Sequence, residues 1–139
     1  MGQRVMHNLD WSETAGWRAR FKVGRVLWAQ VATQNTAHGL TCIERDSVAQ
    51  LYAWHVQDGT LRQITHADTG VEQGYISADG LGIYVLAGSD EAGLGHYLRL
   101  PFAEGNARDI SADMPPYASF YLTESHSGNL LGYSAAAPE

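Results

Sequence analysis

At 139 residues, 45% of them apolar and 17% charged, the chain has the balance of one globular domain and not of a disordered segment. A net charge of −6 argues against a general nucleic-acid binder. No run approaches the roughly 20 apolar residues that a membrane helix needs, and a single cysteine permits no intrachain disulfide.

Residues 1–24 read as a lead-in segment. "MGQRVMHNLDW" holds no apolar core of a signal peptide. Met6 stands where an N-myristoylation pattern carries Ser or Thr. Arg18, Arg20, Lys22 and Arg25 gather four of the nine cations, which reads as a solvated approach to a strand and not as a phosphate-binding patch. The resulting expectation is a soluble, reduced, cytoplasmic protein.

Strand signals then follow one another. "RVLWAQVATQ" and "GLTCIER" flank a turn at Asn35–Gly39, and Cys42, inside the second run, reads as a buried structural thiol. "YAWHV", Tyr52–Val56, alternates with period two, as a partly buried strand does. Asp58-Gly59 is a two-residue hairpin signal, because Gly tolerates positive φ. A short strand, "TLRQIT", closes the group. His66 and Asp68 fall in the loop beyond it.

From Gly70 the pattern restarts. "GVEQGYISADGLGIYVLAG" supplies a strand, a turn at Asp79-Gly80 and another strand. A Gly-rich loop with Asp90 and Glu91 leads to "YLRLPF", where His96 reads as a satisfied structural imidazole. Pro101 predicts a bulge, or an amide position turned away from a partner strand. "NARDIS" completes the second group. Pro115-Pro116 stiffens the crossing into "YASFYLTESHSGNLLGYSAAA".

The two groups are copies. "LYAWHVQDGTLRQIT" and "YLRLPFAEGNARDIS" align at a spacing of 46, with Gly59/Gly105, Arg62/Arg108 and Ile64/Ile110 identical. "LGIYVLA" and "LLGYSAA" align at 49 through Leu81/Leu130, Tyr84/Tyr133 and Ala87/Ala136. A four-stranded unit repeating every 40–50 residues is the signature of a propeller blade. The fold expected is all-β: a partial β-propeller of about two and a half four-stranded antiparallel blades over residues 25–139. Blade one spans 25–65, blade two 70–111 and a half blade 117–136. Two and a half blades do not close a ring, so open blade edges are expected, with an apolar face including some of Val26, Trp28 and Val31. Trp17, Trp28, Tyr52, Trp54, Tyr75, Tyr84, Tyr97, Phe102, Tyr117, Phe120 and Tyr121 are expected to pack between blades.

In this order the motifs "WRARF", "RVLWAQVATQN", "QLYAWHVQDGTLRQIT", "ISADGLGIYVL", "GHYLRLPFAEG" and "DMPPYASF" carry a resemblance. The chain resembles the N-terminal β-propeller of the prolyl oligopeptidase family of serine peptidases, especially its bacterial acylaminoacyl-peptidase and dipeptidyl-peptidase-like members. The resemblance implies a lid that restricts an α/β-hydrolase domain to short peptides, with Ser, Asp and His all in that other domain. It implies as partner the hydrolase domain of a parent protein. Self-association through open blade edges is the other expectation, in a stand-alone binding module. His55 stands where such blades usually carry Asp, and no acidic amine-binding motif is present.

The residues themselves offer no catalytic, cofactor or metal site. Gly132-Tyr133-Ser134-Ala135-Ala136 approaches the G-x-S-x-G nucleophile elbow, but the elbow needs a following helix, and no His or acid of a triad lies between Ser134 and the closing "APE" save Glu139 itself. His7, His38, His55, His66, His96 and His126 include no pair at metal-ligand spacing. The glycines near Asp90 lack G-x-G-x-x-G order and precede a strand, which argues against phosphate binding.

Overall fold

The computed structural model describes Ser12, residues 23–88 and residues 93–136. His7, Trp17–Phe21, Arg18, Arg20, Lys22, Asp90 and Glu91, named above, lie outside the described residues. Every regular element described is a strand.

Four strands form the first sheet, in chain order and all antiparallel: β1 (Arg25–Val31), β2 (His38–Arg45), β3 (Val48–His55) and β4 (Leu61–Gln63). β5 (Tyr75–Ile76), β6 (Gly82–Ala87), β7 (His96–Pro101) and β8 (Arg108–Asp109) form a second with the same order. β9 (Leu122–Glu124) and β10 (Leu131–Tyr133) pair as a third, two-stranded sheet. Isolated bridges Gly95–Tyr117 and Ala118–Ala136 flank it. The protein is all-β, in three antiparallel sheets of four, four and two strands.

The 46-residue spacing is written in hydrogen bonds. Tyr52 pairs with Gln63 as Leu98 pairs with Asp109, and Ala53 with Arg62 as Arg99 with Arg108. Ile64 N–H donates to Leu51 O, and Ile110 N–H to Tyr97 O. Val56 N–H donates to Ala37 O, and Phe102 N–H to Leu81 O. Each is one contact made twice.

The turns explain where the copies diverge. Asp58-Gly59 does not form a two-residue turn. Residues 56–59 make a four-residue loop, in which His55 N–H donates to Thr60 O and Gly59 N–H to His55 O. Gly59 takes φ 75°, the left-handed conformation foreseen for it, one residue from the Asp58 carboxylate that accepts Thr60 N–H. The tight two-residue connection lies at Asp46-Ser47, where both residues have positive φ. Pro101 ends β7. Its counterpart His55 donates to Thr60, but Pro101 has no N–H to donate, and pairing with β8 stops at Arg99.

The third sheet corrects the spacing of 49. Ser77 N–H donates to Gly82 O, Gly80 N–H to Ser77 O and Gly82 N–H to Ser77 Oγ. Ser125, Gly128 and Leu130 repeat all three bonds 48 residues later. Tyr133 is therefore the counterpart of Val85 and not of Tyr84. A one-residue slip reverses the facing of every side chain. The packing agrees: Val85 points back at the first sheet and Tyr133 back at the second.

Two cores result, one between each successive pair of sheets. Leu40, Cys42, Ala49, Leu51, Ala53 and Ile64 of the first sheet meet Ile83, Val85 and Phe102. Tyr84 and Tyr97 on the other face of the second sheet meet Tyr117 and Leu122, with Leu131 and Tyr133 beside them. Of the expected aromatics, Trp28, Tyr75, Tyr84, Tyr97, Phe102 and Tyr117 pack in or against these layers, whereas Tyr52 and Trp54 fall on the other face of the first sheet. Phe120 and Tyr121 do not pack there: they stand 76% and 73% exposed, because they precede β9 on the outside of the hairpin. Trp28 is half-buried, and its Nε1–H donates to Glu72 O at 2.8 Å, whereas Val26 and Val31 are exposed as expected.

Candidate functional site

The first strand of each sheet, β1, β5 and β9, faces a common concavity. A cavity of about 510 Å3 lies there, with Gln30, Val31, Tyr75, Ile76, Thr123 and Glu124 in its walls. The turns beneath it are tied from sheet to sheet. Gln34 N–H donates to Ala78 O at 2.8 Å, and Gln34 Nε2 to His126 O at 2.6 Å. Ala78 N–H donates to a Glu124 carboxylate oxygen. All three first hairpins are thus joined at one end of the wall.

Glu124 is the hinge of this arrangement. Its other oxygen lies 3.5 Å from the Tyr84 hydroxyl. Burial, then the Glu124 charge, raises the Tyr84 phenol above its ordinary pKa, so it remains a donor. Arg99 lies over Gly82, where an added Cβ would meet its guanidinium at 2.5–2.6 Å. Asp79 sits below the usual carboxylate range, held there first by the Ser77 hydroxyl, then by Leu81 N–H. The wall therefore presents amide, hydroxyl and carboxylate groups on a floor of aliphatic and aromatic side chains. Chemically, such a surface can offer hydrogen bonds to a polar ligand.

A second polar cluster lies between the second sheet and the crossing into the third. His96 Nδ1–H donates to Asp109 Oδ2 at 2.7 Å. Asp109 Oδ1 accepts Ser111 N–H at 2.8 Å, and the Ser111 hydroxyl lies 3.3 Å from it. Ser111 Oγ accepts from the Tyr117 hydroxyl at 2.9 Å and from Tyr97 N–H at 3.2 Å. An Asp, a His and a Ser stand together, but in the wrong order for nucleophilic catalysis. The hydroxyl is fully buried and faces the carboxylate, not the imidazole. The expectation of a satisfied imidazole holds for one nitrogen only: His96 Nε2 is buried without a hydrogen-bond partner.

Ser134, in the near-match to the nucleophile elbow, follows β10. Its N–H donates to Tyr121 O, and its Oγ accepts from Phe120 N–H at 3.3 Å. Ser119 Oγ lies 3.5 Å away. These bonds hold a hairpin edge together. Cys42 is fully buried, and its thiol lies 3.8 Å from Val71 O; burial first, then Glu72 and Glu44, raises its pKa and keeps it protonated. His38 Nδ1–H donates to Gly80 O at 2.8 Å, and its ring stacks on Phe102 with centroids 3.9 Å apart. His55 meets the same two rings edge-on. His66 lies 3.3 Å from Gln63 Nε2. No group of three metal-ligating side chains gathers among the described residues, and among them no helix is long and apolar enough to cross a membrane.

Sequence reasoning missed the residues that tie sheet to sheet. Arg62, whose guanidinium donates to Phe102 O, Gln34 and Glu124 all act across the repeat. The spacing of 46 did carry one signal that could have been read. Thr65 and Ser111 stand 46 apart, and each hydroxyl accepts the strand N–H of its own copy, Leu51 at 2.8 Å and Tyr97 at 3.2 Å. No family model matches the chain, and no curated protein matches it.

Proposed function

We propose that this chain is the non-catalytic part of a peptidase: a partial β-propeller of about two and a half blades that gates access to an α/β-hydrolase domain. The observation that supports this reading is the recurrence of one four-stranded, sequentially ordered sheet, stacked face to face and continued by a third hairpin. Repetition of this kind, with the first strands around a common concavity, supports a reading of the sheets as blades. The resemblance to the prolyl oligopeptidase family supplies the gating role and the partner. The wall of β1, β5 and β9 then lines the path of a peptide, with Gln30, Thr123 and Glu124 as its polar contacts. The lone, protonated Cys42 thiol suits a cytoplasmic setting.

The test uses the catalytic domain of a prolyl oligopeptidase-type enzyme, alone and with this chain added. The expected result is a fall in cleavage of a long unfolded polypeptide with little change for a dipeptidyl chromogenic substrate. Equal effects on both substrates overturn gating. The chain by itself is expected to leave both substrates intact, and turnover lost in Ser134→Ala would show that Ser134 is a nucleophile after all.

A second reading is a stand-alone binding module that associates through its open surfaces. The exposed apolar side chains at the outer limits of the stack, Val26, Leu61, Phe120 and Tyr121, favour it.

A further inference from the structure

The hydrogen bonds that equate the copies also show which strand edges are covered. β10 repeats β6 at a spacing of 48, so Leu131 stands where Ile83 stands and Tyr133 where Val85 stands. β6 is paired on both edges, with β5 and with β7. β2 is likewise flanked by β1 and β3. Among the described residues β10 pairs with β9 alone. Leu130 O accepts Ser125 N–H, and Ser134 N–H donates to Tyr121 O, both on the β9 side. By the alternation of an antiparallel ladder, the N–H and C=O of Leu131 and Tyr133 point to the other edge. Ile83 and Val85 have Leu100 and Leu98 of β7 opposite them there.

The sheet beneath is less covered at the matching places. Over the first sheet, Leu100 and Phe102 close a core in which Cys42, Ala53 and Ile64 are buried. Their counterparts on the second sheet, Leu86, Arg99 and Ile110, are only half-buried.

Two cations stand at this gap. Arg62 donates to Phe102 O and lies 3.5 Å from Pro101 O, so it holds the end of the strand that covers its sheet. Its counterpart Arg108 is exposed, and its guanidinium makes no hydrogen bond or ion pair among the described residues. His38, whose ring stacks on Phe102, has Gly82 as its counterpart, and the Arg99 guanidinium lies over that glycine. A planar cation there offers its face to an aromatic ring, as the His38 ring does.

We propose that the free edge of β10 is a docking site for an extended strand of a partner protein. The strand runs antiparallel to β10, with apolar side chains opposite Tyr133 and Leu131 and an aromatic two residues further on, against Arg99. Arg108 takes a main-chain carbonyl at that end. Main-chain bonds to the edge supply affinity, and the alternate side chains supply selection. The proposal rests on the equivalence of the copies and goes beyond both functional readings above.

The probe is a peptide of residues 95–103, which carries the required pattern in Leu98, Leu100 and Phe102. It bears an N-terminal fluorophore and is titrated with the 139-residue chain by fluorescence anisotropy. Saturable binding in the micromolar range is expected. N-methylation of the peptide at Leu98 or Leu100 removes an N–H aimed at β10 and weakens binding roughly tenfold or more, whereas N-methylation at Arg99, aimed the other way, changes it less than about twofold. Arg108→Ala weakens it roughly tenfold. Arg25→Ala, on β1 with a side chain 70% exposed, leaves it unchanged. A strand-rich circular dichroism spectrum shows that each variant folds, and the methylated peptides test the pairing on the unsubstituted chain. Absence of saturable binding, equal loss from methylation at Leu98 and at Arg99, or binding indifferent to Arg108→Ala overturns the proposal. Sedimentation of the chain alone as a dimer that the peptide neither binds nor splits also overturns it, in favour of a second copy on this edge.

Discussion

Asp109 holds three donors with one carboxylate: His96 Nδ1–H on one oxygen, Ser111 N–H and hydroxyl on the other. Those bonds, His96 first and Ser111 N–H second, place its pKa below the ordinary carboxyl value. A carboxylate with a depressed folded-state pKa stabilises the fold at every pH above its unfolded value, about 3.9. That contribution is lost as pH falls through the lower folded-state value. Asp109→Asn is therefore expected to be less stable than the native chain at neutral pH, with the difference shrinking as pH drops below about 3.9. Urea unfolding at a series of pH values measures this, and a gap that stays constant into acid would remove the carboxylate from the account. The same cluster shows why Ser111 was not legible as a site residue. Its type and spacing were visible, but only the fold buries its hydroxyl between Tyr117 and Asp109.

At the scale of elements, the approach of the first two sheets depends on Gly74, just before β5. A Cβ there would stand 2.5 Å from Leu51 Cδ1, 3.5 Å from Leu40 Cδ2 and 3.4 Å from Tyr84 O. Leu51 and Leu40 are both fully buried, so neither has room to move. Gly74→Ala is expected to destabilise the protein by about 1–3 kcal/mol through overpacking. Leu51→Ala is expected to cost about 2–5 kcal/mol through the cavity left between the sheets. Denaturant midpoints report both; a neutral Gly74→Ala would mean that the two sheets approach less closely than described. The existence of nearly every strand was readable, because period-two alternation and turn residues are local. Two local readings failed for a shared reason. Asp58-Gly59 has the composition of a two-residue turn, but its loop length is set by where Thr60 meets His55. The match of Tyr84 to Tyr133 follows identity of residues, whereas strand register follows hydrogen bonds and facing.

At the scale of the whole molecule, stability is graded along the stack. The second sheet is covered by neighbours on both faces. Among the described residues, the hairpin β9–β10 is covered on one face, and β10 pairs with β9 alone, with the Ala118–Ala136 bridge just beyond it. A strand with one neighbour opens more readily than one inside a four-stranded sheet. Amide hydrogen exchange is expected to be fastest in Leu131–Tyr133 and slowest in the central strands β2, β3 and β6. Uniform protection from β2 to β10 would show a single cooperative unit with a third sheet as firm as the others. Sequence alone determined the class of the fold, the order of the strands and the existence of copies about 46 residues apart, since each rests on alternation, turns and self-similarity within a few tens of residues. Tertiary structure alone decided which face of each strand is covered. The same alternation, apolar on Tyr52, Trp54 and Val56, fits a strand facing either way, and the fully buried side proved to be that of Leu51 and Ala53. It alone also brought Gln34, Ala78, Glu124 and His126 to one wall, for contacts across 44 to 92 residues leave no periodic trace in the chain.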